Sequence, residues 1–156
     1  LAVSILAVGV AGCVKERRGV GDAPRDTEPV RIILGVQARL VDYDGDVYPD
    51  TAIASVYIMG NWPQSLAPDG AKATFTLYNA EDEPLGEWTF DARETRAALR
   101  DGVVGPGYFF PLKITDFIDD KMPETTLKID AEFTLKDGRV LQAPGKKEKL
   151  FGRIGG

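Results

Sequence analysis

Between Leu127 and Leu135 every second residue is apolar, and Lys128, Asp130, Glu132 and Thr134 stand between them. A repeat of two belongs to a β-strand that buries one face and wets the other; a helix repeats every ~3.6 residues and cannot sort this pattern. A strand of this kind is stable only as part of a sheet whose apolar face is covered by another layer. The pattern therefore commits the chain to a layered β architecture.

The same signal recurs from Val30 onward. Ile32, Leu34, Val36, Ala38 and Leu40 fall on one face of a first strand, and Ala54, Val56 and Ile58 mark a second. Ala73, Phe75 and Leu77 alternate with Lys72, Thr74 and Thr76, as in a half-buried antiparallel strand. Trp88 and Phe90 indicate a short fourth strand, and Tyr108, Phe110, Leu112 and Ile114 a fifth. After the Leu127–Leu135 strand, Asp137-Gly138 supplies a tight hairpin turn, and Val140–Gln142 begins the return. Lys146–Ile154 either extends that return or adds an edge strand whose lysines discourage further pairing.

One segment departs from alternation. Asp91 is placed as an N-cap with Glu94 three residues on, and Ala97, Ala98 and Leu99 follow before Gly102. Ala92–Arg100 is therefore expected as a short crossover helix, packed on the sheets through Leu99. The expected fold is all-β: a single antiparallel β-sandwich over residues 30–156, with about seven strands and an immunoglobulin- or fibronectin-like architecture. Such a fold assigns no function by itself.

Composition narrows the chemistry. The chain has no histidine, which removes the commonest general base and transition-metal ligand. Its single cysteine is Cys13, so no disulfide or thiolate cluster can form within one chain. A formal net charge of -5 argues against a nucleic-acid partner, which needs a concentrated basic surface. Ser55 and Ser65 have no histidine to activate them, and neither lies in a G-x-S-x-G context. Glu81-Asp82-Glu83 reads as a charged hairpin loop; paired carboxylates can perform glycosidase chemistry, which makes a carboxylate hydrolase a third and weaker reading.

The N-terminal run Leu1–Gly12 is uncharged and too short for a transmembrane helix, which needs ~20 apolar residues. It reads as the hydrophobic and cleavage regions of an export signal that lacks its basic start. The residues Val10-Ala11-Gly12-Cys13 resemble the bacterial lipobox. That resemblance implies lipid transfer to the Cys13 thiol, cleavage before Cys13, and attachment to the bilayer through several acyl chains. Residues 14–29 have little apolar content and four Gly or Pro residues, so they are expected to form a flexible tether. The implied location is the bacterial cell envelope, with Val14 after the cysteine leaning towards the periplasmic face of the outer membrane or the cell surface.

Asp42–Asp50, DYDGDVYPD, is the chemical motif of the domain. Asp42, Asp44, Asp46 and Asp50 occupy positions one, three, five and nine, and Tyr48 at position seven offers a backbone carbonyl. Calcium takes about six to eight oxygen ligands, and a curling loop with alternate carboxylates can supply several of them. The run resembles thrombospondin type 3 calcium loops and, more loosely, FG-GAP and EF-hand loops, which implies Ca2+ as a candidate cofactor. It departs from them at Val47, where glycine is usual, and at Ile53, where an EF-hand has its closing Glu. Oxygens from another loop would then be required; Asp116, Asp119 and Asp120 are candidates by composition. The plainer alternative is a solvated acidic turn.

Trp62, in a loop after the second strand, is a candidate for stacking on a sugar or a partner, against the commoner role of capping the core. Over the mature chain, Asp42–Asp50, Trp88–Phe90, Gly107-Tyr108 and Asp137–Arg139 together resemble uncharacterised lipoproteins of planctomycete-type bacteria, a likeness that implies a lone secreted β-sandwich without an assigned activity. The expected function is a non-catalytic, membrane-anchored structural or interaction module whose partner is an envelope protein or glycan. The alternative is a calcium- or glycan-binding module at the Asp42–Asp50 loop.

Overall fold

A computed structural model describes residues 23–37, 39–43, 45, 49–118 and 124–151. The signal-like run, Cys13 and the first part of the expected tether lie outside the described residues, as do Asp44, Asp46, Tyr48, Asp119 and Asp120. The described residues form an all-β sandwich of two antiparallel sheets.

The elements are β1 (Pro29–Val36), β2 (Thr51–Gly60), β3 (Lys72–Tyr78), β4 (Pro84–Phe90), α1 (Ala92–Ala97), β5 (Leu99–Gly102), β6 (Gly105–Lys113), β7 (Glu124–Thr134), β8 (Val140–Ala143) and β9 (Glu148–Phe151). One sheet has the order β1-β2-β6-β5, and the other β4-β3-β7-β8 with β9 also on β7. Each sheet is thus two antiparallel pairs side by side, and the chain visits the sheets alternately. This arrangement lets each apolar strand face meet the other sheet.

The structure departs from the expected strand number and element bounds. The described residues contain nine strands where about seven were expected. The helix stops at Ala97 instead of reaching Arg100, because Leu99–Gly102 pairs with Gly105–Tyr108 as the strand β5. Its capping box is as expected: Asp91 accepts from the Arg93 and Glu94 amides at 2.8 Å, and Glu94 accepts from the Asp91 amide at 2.9 Å. A helix of six residues has little stability of its own, so ladder bonds to β6 determine where it ends. The first strand also ends early, at Val36, although Leu40 is still buried beyond it.

At the C-terminal side, β8 and β9 pair successive parts of β7, with a register offset of one residue between them. Pro144 lacks an amide hydrogen and cannot continue the ladder. Gly145 then packs so closely on the Ile129 backbone that a Cβ would fall 1.9 Å from the Ile129 carbonyl oxygen, and its amide donates to Asp130 at 2.8 Å.

The alternating residues predicted for β3 and β7 do face the core: Ala73, Phe75, Leu77, Leu127, Ile129, Ala131 and Phe133 are all buried. Phe110 of the first sheet joins the layers. Its ring centroid lies 4.9 Å from Phe75, 4.7 Å from Phe90 and 6.2 Å from Phe133, distances at which aromatic rings attract beyond simple burial. Tyr108 lies beside it, and burial pushes its hydroxyl up to about 12.

Register also decides what shares an end of the sandwich. Pro29 pairs with Gly60 and Val56 with Tyr108, so the start of β1, the end of β2 and the β5–β6 turn lie together. Arg139, in the β7–β8 turn, donates to the Pro29 carbonyl at 3.5 Å and pairs with Glu28 at 3.5 Å, which places that turn at the same end. The β3–β4 turn and the Asp42–Asp50 loop lie at the other end.

Candidate functional site

The Asp42–Asp50 loop leaves the first sheet through the isolated pairing of Val41 with Thr51. At its start, Asp42 is exposed and accepts from the Gly45 amide at 2.7 Å, the side-chain-closed turn that aspartate commonly forms. Gly45 takes φ 82°, a left-handed conformation that glycine adopts without strain. At its end, Asp50 is only 4% exposed. Its carboxylate accepts from the Thr51 hydroxyl at 2.7 Å and pairs with Lys113 Nζ at 3.4 Å, while its carbonyl accepts from the Ile114 amide at 2.8 Å.

Asp50 is therefore a fastening of β2 to the end of β6, and the two described aspartates of the loop have different environments. Among the described residues, no group of three or more histidine, cysteine, aspartate or glutamate side chains is arranged to hold a metal ion. Asp116, a compositional candidate for completing a site, instead accepts from the Trp88 indole at 3.4 Å.

Trp62 occupies the expected loop after β2. Its ring is half-buried and packs against the core, and its indole N–H is buried without a hydrogen-bond partner among the described residues. Trp62 and Asn61 line one wall of a recess of about 500 Å³, whose other wall is Pro24, Asp26, Thr27, Glu28 and Val30. The loop is held by Ser65, whose hydroxyl donates to the Pro106 carbonyl at 2.5 Å and whose amide donates to the Val104 carbonyl at 2.9 Å.

The Glu81-Asp82-Glu83 loop is the β3–β4 turn, and the carboxylates of Asp82 and Glu83 are engaged in holding that turn. Asn79 accepts from the Glu81 and Glu83 amides and donates to the Glu83 carboxylate at 2.8 Å. Asp82 pairs with Lys147 at 2.6 Å and Lys128 at 3.3 Å, and the hydrogen bonds from Lys147 and then Lys128 hold its carboxyl below the usual value.

Sequence reasoning placed Thr74, Thr76, Asp130 and Glu132 on outward strand faces without bringing them together. Register makes them neighbours, because Thr76 pairs with Asp130 and Thr74 with Glu132. With Tyr78, Glu87 and Gln142 they line a polar trough of about 340 Å³ on the outside of the second sheet. Gln142 donates to Glu132 at 2.9 Å, and Asp130 accepts from the Gly145 amide, so two of its carboxylates already have internal donors. Only the pairing of β3 with β7 would have revealed this surface from sequence.

No family model matches the chain, and no curated protein matches it. Similar solved structures include a crystal structure from Bordetella pertussis described as an ApaA protein, 15% identical, covering 80% of this chain and 96% of its own, with a TM-score of 0.37. A second structural-genomics structure is 12% identical, covers 80% of this chain and 89% of its own, and has a TM-score of 0.35. Neither likeness lends this chain a function.

Proposed function

We propose that the chain is a lipid-anchored, non-catalytic β-sandwich of the bacterial cell envelope, acting as a structural or interaction module. The observation that carries this reading is the sequence Val10-Ala11-Gly12-Cys13, preceded by an uncharged apolar run and followed by a Gly/Pro-punctuated segment before the first strand. Acylation of Cys13 would hold the domain at a membrane through several acyl chains, where one chain alone binds reversibly.

The buried polar groups of the domain hold its loops and helix to the strands. Asp50, Thr51, Ser65 and Thr95 are the buried polar residues among those described. Asp50 and Thr51 bond each other, Ser65 bonds the Val104 and Pro106 carbonyls, and Thr95 donates to the Phe90 carbonyl at 3.3 Å. Each links loop or helix to strand.

Detergent phase partitioning tests the anchoring. Expressed from its gene in a bacterial host, the protein should enter the detergent-rich phase, and the Cys13→Ala variant should move to the aqueous phase. Equal partitioning of the two into the aqueous phase would reject the anchor.

A further inference from the structure

The β5–β6 turn breaks a rule of turn chemistry. Its central residues are Val103 and Val104, between Gly102 and Gly105, and Gly105 takes φ 104°. Turn centres favour Gly, Asn, Asp, Pro and Ser, and a β-branched residue gains nothing there unless it packs. Val103 does not pack, being 101% exposed, and Val104 is 51% exposed. A local choice that opposes the fold without a packing gain marks a position whose role lies outside folding.

These two valines have company. Val30, at the start of β1, is 59% exposed, and Val140, at the start of β8, is 48% exposed. Register places both at the same end as the β5–β6 turn, as described above. That end also receives the segment leading from Cys13. Ten peptide units separate Cys13 from Ala23, which limits the distance between acyl chains and this end to ~35 Å.

Tyr43 and Leu85 are exposed at the other end, so apolar exposure alone does not separate the two; charge does. Arg25, Arg93 and Arg100 are exposed at the valine end, each followed at once by an acid, while Arg96 pairs with Asp69 and Arg139 with Glu28 and Asp137. With Asp91 and the further bases Arg31, Lys72 and Lys136, this end holds eight basic against seven acidic side chains and so has no acidic surplus. The opposite end carries Asp42, Glu81, Asp82 and Glu83, and of these Asp82 is paired with Lys128 and Lys147. Bacterial bilayers are anionic, so the acidic end is repelled and the valine end is not.

We infer that the sandwich stands on the bilayer by this end, with the Val103–Val104 turn entering the boundary between headgroups and acyl chains. The inference rests on the lipid-anchor reading and adds an orientation and a lipid-contacting surface to it. The tether brings the end close, and the four valines then bury apolar surface in the interface, as apolar side chains of interfacial segments do.

Depth-dependent quenching tests it. The full lipoprotein is made as Val103→Cys or Glu81→Cys, positions at opposite ends; acylation blocks the Cys13 thiol, so a fluorophore labels the introduced site. Each is reconstituted into phosphatidylethanolamine–phosphatidylglycerol vesicles containing lipids with a nitroxide at the shallow acyl position, and the vesicles are floated. The expected result is quenching several-fold stronger at position 103 than at 81. Protein that floats but shows equal quenching at both positions keeps its anchor and overturns the orientation. Protein that does not float lacks the anchor, and the orientation falls with it. A concentration-dependent blue shift of the position-103 probe without vesicles would assign the valines to a second copy of the chain and also overturn the proposal.

Discussion

The Ser65 hydroxyl donates to the Pro106 carbonyl at 2.5 Å, across 41 residues of sequence, and so fixes the loop after β2 to the strand that follows the Val103–Val104 turn. Ser65 is 4% exposed, and its bond to the half-buried Pro106 is partly shielded from water. Removing one partner of a buried hydrogen bond costs the desolvation of the group left behind, roughly 1–3 kcal/mol. Ser65→Ala is expected to lower stability by about that much. Urea unfolding should show a lower midpoint with an unchanged slope, and an unchanged midpoint would mean that water replaces the bond.

Gly145 and Gly138 predict unequal costs for the same substitution. Gly138 takes φ 86° with open space around its Cβ position, so Gly138→Ala meets only the left-handed backbone penalty of about 1–2 kcal/mol. Gly145→Ala would drive a methyl group into the Ile129 backbone, and overpacking of that kind costs about 1–3 kcal/mol or more. Thermal melting should rank Gly145→Ala as the more damaging. The added damage should include loss of the β9 pairing, read as faster amide exchange at Glu148–Phe151.

Acid should loosen the second sheet through Asp82. Hydrogen bonds from Lys147 and then Lys128 hold its carboxyl below its ordinary value of 3.8. A depressed folded value means that the native state favours the ionised form, so the contribution is present above the unfolded value and lost as pH falls through the folded one. Asp137 acts in the same direction, through the Arg139 amide and then its guanidinium. Urea midpoints measured from about pH 5 downwards should therefore fall more steeply in the wild type than in Asp82→Asn. Parallel curves would show that the Lys147 contact is screened by solvent, as exposed pairs often are.

The sandwich was legible where burial alternates over a whole strand. Phe75 and Phe133 face inwards because their polar neighbours cannot, and no distant contact is needed to know it. β5 was not legible, because LRDG has no alternating apolar pattern and forms a strand only through its partner, Gly105–Tyr108. The helix was legible at its start, where Asp91 and Glu94 form a local capping box, and illegible at its end, where a distant strand intervenes. The same division applies to function. Cys13 and the Asp42–Asp50 run are local patterns visible in sequence, whereas the outer trough and the shared end of four exposed valines exist only once the register is known.

The central claim, that this sandwich is carried on a lipidated cysteine, has a direct measurement. Cells expressing the protein are grown with a labelled fatty acid, and the protein is isolated and its N-terminus examined by mass spectrometry. The account predicts label in the wild type, a chain that begins at an acylated Cys13, and no label in Cys13→Ala. Label that persists in Cys13→Ala, or a wild-type protein that retains Leu1–Gly12 and takes up none, would contradict it.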